Sequence, residues 1–226
     1  MTSTSHTLRR RSLTLYLSQG SSFVADCTQY DQVEALREAV IQKYGRVDVV
    51  INAGIHDATP QGFGKMTLEK WRGNMSLNLD AHFHLIHAFL PTFQAQGSGN
   101  FMHYTTFGST VALGMGKQRH GYFAGKGAAA ILTKRIGIEN AKAGIRANVL
   151  SIGYAEGPLV TRAVANAGAD MAAVDAQRDA NVPRGKQITT EEVGNLALFL
   201  ASDASSAINA TEVYADGGNH CTTYGP

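Results

Sequence analysis

Tyr122 and Lys126 stand four residues apart in the stretch GYFAGKGAAA. On a helix that spacing puts a phenol and an ammonium on one face, with Cβ atoms roughly 6 Å apart. A cation so placed favours the phenolate and draws a pKa that starts near about 10 toward the range of a general acid/base. A Tyr and a Lys at this spacing arise readily by chance, so the surroundings have to decide. Ser109 lies thirteen residues before Tyr122, just after the strand-like FMHYTTFG. Its hydroxyl is thereby placed at the carboxyl end of a strand, where open α/β sheets bind ligands. Asn78, in WRGNMSLNLD, sits inside a helical pattern although an amide is a poor helix former; it either holds a water or marks a kink. INAG and SIGYAEGP add glycine turns after two further strands, at the same end of the sheet.

The elements that must carry these residues follow from periodicity. From Phe23 onward short apolar runs alternate with longer helical patterns, which predicts an α/β chain with a mostly parallel, doubly wound sheet covered by helices on both faces. SSFVAD is the first strand-like run. YDQVEALREAVIQKYG has Val33, Leu36, Val40 and Tyr44 at helical spacing, with Gly45 as the stop. RVDVVINAG is a buried strand ending in a tight turn, and MTLEKWRGNMSLNLDAHFHLIHAFLPTF a long helix broken at Pro91. GNFMHYTTFGS and IRANVLSIG are strands on either side of a helix that starts near Gly121 and ends at Gly144. Residues 154–187 are Ala-rich and predict a mobile flap with short helices; TTEEVGNLALFLASD is a helix with acids in its first turn, and EVYADGG closes the sheet.

Composition narrows the partners. A net charge of +2 over 226 residues, without a recurring basic cluster, offers no footprint for nucleic acid or membrane and points to a small molecule. No apolar run reaches the roughly 18 to 20 residues of a membrane span. Cys27 and Cys221 are too few and too isolated for a disulfide framework or a zinc site, which suits a reducing, cytoplasmic setting. The alternative is a transit peptide, since the first 25 residues hold Arg9, Arg10 and Arg11 and no acid. His82, His84 and His87 crowd one helix without a further ligand, so no metal is expected; Met66, Met75, Met102 and Met115 are core or pocket filler. Gly121, Gly125 and Gly127 each cost a helix about 1 kcal/mol relative to Ala, which a close approach of backbone, cofactor or partner subunit would offset.

Taken together, these motifs resemble the short-chain dehydrogenase/reductase (SDR) family, over about residues 22–218. VADCTQ looks like the family's acidic turn after its third strand, INAG like its Asn-Asn-Ala-Gly turn, and Asn78, Ser109, Tyr122 and Lys126 match its catalytic tetrad. The resemblance implies a single Rossmann-like domain that transfers a hydride between NAD or NADP and a secondary alcohol or ketone. Tyr122 would move the proton, Ser109 would bond the substrate oxygen, Lys126 would lower the Tyr122 pKa and bind ribose, and Asn78 would hold a water. Asp26, Cys27, Asn52, Ala53, Gly54, Tyr122, Lys126 and Gly153 would line the cofactor, and the chain would form a homodimer or homotetramer.

The sequence also departs from the family. No glycine precedes Gly20, so the Gly-rich phosphate loop has no counterpart, and the first βαβ unit is expected to be missing or replaced by residues 8–25. There TLRRRSLTLYLSQG fits either a helix or, from the alternation of Leu13, Leu15 and Leu17, a strand paired with FVAD in a hairpin. Ile51 replaces the first Asn of the turn, Ile152 a Pro and Gly157 a Thr. Two further functions stay open on these grounds: a cofactor-independent lyase or dehalogenase-type enzyme using Ser109 and Tyr122, and a truncated subunit that keeps the assembly without turnover. Phe107, Met115 and Tyr154 are the expected pocket residues.

Overall fold

The computed structural model describes residues 20–54, 62–110 and 119–222. Four strands, β1 (Val49–Asn52), β2 (Gly99–Thr106), β3 (Ile145–Ile152) and β4 (Glu212–Ala215), lie side by side in chain order in one parallel sheet. Thr106 is level with Ile152, and Ile152 with Ala215, while β1 ends opposite His103. The strand ends therefore form one rim, set back at β1, and the turns that carry the candidate residues leave from it.

Successive residues of β2 and β3 serve opposite faces, as a pleated strand requires. Phe101, Ile145 and Ala147 pack against Val33 of α1 (Tyr30–Tyr44) and Ile86, Phe89 and Phe93 of α3 (Ala81–Gln96). Met102 and Leu150 pack against Ala197 and Leu200 of α7 (Thr190–Ala201) on the other face. Helices thus cover both faces, and near-continuous apolar strands are the consequence. The α7 start is fixed by a capping box: Thr189 Oγ1 accepts from the Glu192 amide, and the Glu192 carboxylate accepts from the Thr189 amide. Gly45 ends α1 with φ 75°, a left-handed conformation open to glycine.

Two expectations are corrected. The helix does not break at Pro91: α3 continues to Gln96 and is capped by Gly97. Pro91 lies on the exposed side, where a missing N–H loosens only the solvent-facing ladder, while buried Phe89 and Phe93 hold the axis. The irregularity falls earlier, where a π-helical turn, Ser76–Asp80, joins α2 (Leu68–Met75) to α3. FVAD belongs to no strand of the sheet, and Val24 is exposed. The segment after β3 holds two short helices, α5 (Pro158–Asn166) and α6 (Met171–Ala180), as expected. The proposed strand or helix at residues 8–18 and the arginines at 9–11 lie outside the described residues.

The glycines of α4 (His120–Glu139) mark where it meets α2, the π turn and the strand end. A Cβ on Gly121 would lie 2.9 Å from Asn74 Cβ, on Gly125 2.8 Å from Asn78 Cβ, and on Gly127 2.9 Å from the Ser109 carbonyl oxygen. Close helix approach therefore offsets their cost. Gly194 of α7 has nothing within 4 Å of its missing Cβ. Gly125→Ala is expected to destabilise by about 1–3 kcal/mol through overpacking, and Gly194→Ala to stabilise by about 0.5–1 kcal/mol through helix propensity. Urea unfolding of the two variants measures both.

Candidate active site

Lys126 is 1% exposed, an unusual place for an ammonium. Its Nζ donates to the Gly54 carbonyl at 2.7 Å and the Tyr104 carbonyl at 2.9 Å, one in the turn after β1 and one in β2. Burial lowers its pKa to about 8. Tyr122, one helical turn earlier, is buried with it. Burial pushes the Tyr122 pKa up to about 12, with the Arg119 charge opposing the rise. The expected lowering by Lys126 is not met in this arrangement, because the ammonium is committed to two carbonyls and desolvation of the phenol prevails.

Asn78 is buried within the π turn, and its Nδ2 donates to the Asn74 carbonyl at 3.0 Å. An amide inside a helix is explained here by a backbone acceptor that the widened turn offers. The structure brings Asn78 against Gly125, the residue before Lys126, through the contact of α4 with this turn. Ser109 is placed differently. It ends a 3₁₀ turn after β2, donates to the Thr106 carbonyl at 2.6 Å and shares a 2.8 Å bond with Thr105 Oγ1. It lines an open groove of about 590 Å³ with Thr110, Gly127, Ile131, Lys134 and Glu212. Glu212, nearly buried, accepts from Thr110 Oγ1 at 2.6 Å and from Lys134 Nζ at 3.0 Å, so a β4 carboxylate fastens the Ser109 turn to α4.

The expected cofactor turns have defined partners. Asn52 Oδ1 accepts from the Gly54 amide at 3.0 Å, bending the chain at Ala53. The Gly153 amide bonds the Ala215 carbonyl at 3.0 Å, and a Cβ there would lie 2.6 Å from Asp216 Cβ. Asp26 Oδ1 accepts from the Thr28 amide and hydroxyl at 2.9 and 2.7 Å, closing its own turn. Burial and the Asp26 charge raise the Cys27 pKa, and the Cys27 carbonyl accepts from His84 Nδ1–H at 2.9 Å. His87 bonds Tyr30 Oη at 2.9 Å, so His84 and His87 tie α3 to α1 and the turn before it. Phe107 is buried with its ring 6.5 Å from Tyr154, over which the Arg178 guanidinium lies at 5.1 Å. Met115 lies outside the described residues.

Sequence reading passed over Thr106, the last residue of β2, and His103, which is wholly buried with its ring centre 4.2 Å from that of His82 and tilted by 35°. The end of a strand was the available signal for Thr106. A histidine in a strand carried no comparable signal.

This arrangement defines an α/β protein with a polar catalytic candidate at the carboxyl rim of a parallel sheet. A family model described as enoyl-(acyl carrier protein) reductase matches residues 6–220. The chain is 28% identical to D-beta-hydroxybutyrate dehydrogenase of Rhizobium meliloti over 200 residues, 86% of this chain and 76% of that one. It is 30% identical to 3-oxoacyl-[acyl-carrier-protein] reductase FabG of Thermotoga maritima over 198 residues, 87% and 75% of the two chains. It is 32% identical to dehydrogenase/reductase SDR family member 6 of Danio rerio over 198 residues, 86% and 76%. Levodione reductase superposes with a TM-score of 0.80 at 29% identity, covering 89% of this chain and 77% of that one. A short-chain type dehydrogenase/reductase from Mycobacterium marinum gives a TM-score of 0.77 at 28% identity, covering 88% and 74%. The chain belongs to the short-chain dehydrogenase/reductase family and is an oxidoreductase.

Burial also gives the site an acid limit. The His82 pKa is lowered to about 3, by desolvation first and the Lys126 charge second, and His103 is held well below its ordinary value by burial, His82 and Lys126. Both rings are neutral in the fold, whereas an unfolded chain protonates them below about 6.5. Their contribution to stability is full above that pH and is lost as pH falls toward about 3. Denaturant unfolding is expected to show about 1.6 kcal/mol less stability at pH 5 than at pH 6.5 from His82 alone.

Proposed function

We propose that the protein interconverts a secondary alcohol and a ketone with NAD or NADP, using Tyr122 as the proton-transfer group and Lys126 as its charged neighbour. The observation that carries this is the joint burial of the two side chains one turn apart on α4, with the ammonium bonded across the turn after β1. The residues fit the nicotinamide-ribose end of such a cofactor. Two of the three Lys126 N–H donors go to Gly54 and Tyr104, which leaves one for a ribose hydroxyl. Asn52, Ala53, Gly54 and Gly153 would line that end, with Asp26 and Cys27 at the adenine. A bound nicotinamide supplies or takes up the hydride.

With a pKa of about 12, Tyr122 holds its proton at neutral pH and is loaded as an acid. It would give that proton to the substrate oxygen as charge develops there, which suits ketone reduction. Asn78 would hold the water that returns the proton. In the alcohol-to-ketone direction the phenol must first be made more acidic, and the nearby charge of Arg119 acts in that sense. Two relatives are named for a hydroxybutyrate and a 3-oxoacyl group, so compounds with a hydroxyl or oxo group at the third carbon are the substrate class to try first. The exposed Leu68 and Phe83 on α2 and α3 support a homodimer or homotetramer.

Tyr122→Phe is expected to reduce turnover by about 10²–10⁴-fold with folding and nucleotide binding unchanged. NADH and NADPH fluorescence titrations with a turnover assay measure this; a Phe variant that keeps most of its activity would refute the role, and wild type that binds neither nucleotide would favour a cofactor-independent enzyme.

Ser109 would bond the substrate oxygen, for which its hydroxyl has to turn away from the Thr106 carbonyl and Thr105 Oγ1. Ser109→Ala is then expected to lower kcat/KM by about 10²-fold, measured in the same turnover assay.

A further inference from the structure

Behind Tyr122 and Lys126 a closed circuit of hydrogen bonds joins α4, α3 and the turn after β1. It begins at Thr133 of α4, whose hydroxyl gives its one proton to the Ala129 carbonyl at 2.8 Å. Thr133 Oγ1 can then only accept, and it does so from His82 Nε2–H at 2.8 Å. The other ring nitrogen, Nδ1, is left with a lone pair and accepts from Asn52 Nδ2 at 3.1 Å. That orientation of the amide presents Oδ1 to the Gly54 N–H at 3.0 Å. The Gly54 carbonyl in turn accepts from Lys126 Nζ at 2.7 Å, which returns the path to α4.

Each donor meets an acceptor in one sense only. The opposite imidazole tautomer would set its Nδ1–H against the Asn52 amide protons, and flipping that amide to suit would set those protons against the Gly54 N–H. An imidazolium carries a proton on both nitrogens and has no place in the circuit either. The surroundings enforce the neutral form: His82 is 2% exposed, the His103 ring packs against it at 4.2 Å, and the Lys126 ammonium is the nearby charge. A histidine buried beside a lysine invites assignment as a proton relay. With both nitrogens committed and the ring neutral, His82 has neither a proton to give nor a lone pair to spare.

We propose that His82 is a positioning residue that fixes the turn after β1 and, through the Gly54 carbonyl, sets where the Lys126 ammonium stands. It touches no reacting atom, and the functional consequence rests on Lys126 binding the cofactor ribose. The two neighbours it links could not do this unaided. The Gly54 N–H alone selects Asn52 Oδ1, and without the imidazole lone pair the Asn52 Nδ2 loses the acceptor that anchors the amide to α3. Gly54, in turn, has no side chain to hold its carbonyl toward α4.

Three variants test the proposal. His82→Leu removes both ring bonds, His82→Gln keeps a carbonyl for Asn52 and an N–H for Thr133, and Thr133→Val leaves the ring N–H without its acceptor. The primary readout is hydrogen exchange at the Gly54 amide, which requires no nucleotide. His82→Leu is expected to speed it by about tenfold or more while the β3 amides exchange as in wild type, and to weaken NADH or NADPH binding about tenfold. Gln restores most of both losses, and Thr133→Val moves both readouts in the same direction by less. In wild type, ¹⁵N shifts are expected to show His82 as the Nε2–H tautomer, unchanged from about pH 8 to about pH 5. A folded His82→Leu protein whose Gly54 exchange stays within about twofold of wild type overturns the proposal. If that variant does not fold, Thr133→Val decides by the same readout. Wild type that binds neither nucleotide would sink the oxidoreductase reading, while Gly54 exchange would still decide the positioning role.

Discussion

A desolvated ammonium is the constraint around which the rim of the sheet is built. Moving a charge of that size out of water costs several kcal/mol even after relaxation, so Lys126 can stay buried only where fixed dipoles replace its hydration. Two backbone carbonyls do this, one from the turn after β1 and one from β2. Neither can be supplied by α4 itself. The helix must therefore approach the strand ends closely, and the glycines at 121, 125 and 127 make that approach possible by removing the Cβ atoms that would hold α4 away. The π turn at Asn78 belongs to the same solution, since it brings a buried amide against Gly125 without a branched side chain between them.

The opposite end of the sheet is organised by saturation. The Leu200 carbonyl accepts from Asn100 Nδ2, Arg146 Nη2 and Ser205 Oγ, at 2.6, 3.0 and 2.9 Å. Arg146 also reaches the carbonyls of Ile208 and Ser202, so its cation faces the carboxyl end of α7, where the helix dipole is negative. Polar groups there fasten α7 to the sheet. At the rim burial shifts the titration of the polar groups instead: a protonated phenol, two neutral histidines and an ammonium share one neighbourhood. That is the pattern expected where stability has been exchanged for chemistry.

Much of this was legible in the residues, for identifiable reasons. Helical period alone put Tyr122 and Lys126 on one face, and the alternation of apolar runs with amphipathic helices gave a parallel sheet with both faces covered. Gly45 and the acids of TTEEVGN marked helix ends because capping is local chemistry. Pro91 misled because its cost depends on which side of the helix it occupies, a tertiary matter. FVAD misled because an apolar run makes a strand only beside a partner. Ser109 was placed at the rim correctly, but its commitment to Thr105 and Thr106 depends on a 3₁₀ turn that spacing does not encode. The circuit through His82 was invisible for a stronger reason: residues 52, 82 and 133 meet only after β1, α3 and α4 have packed. Read along the chain, His82 was merely the first of three crowded histidines.

The clamp between Thr110, Lys134 and Glu212 bears on the order of assembly. Its partners are separated by 102 and 78 residues of sequence, with β4 arriving last. Until that strand docks, the turn carrying Ser109 lacks the carboxylate that fastens it, although β1 to β3 and α4 can already be in place. During synthesis the sheet can form before its rim is complete, so the catalytic geometry is a property of the finished chain rather than of its folding core.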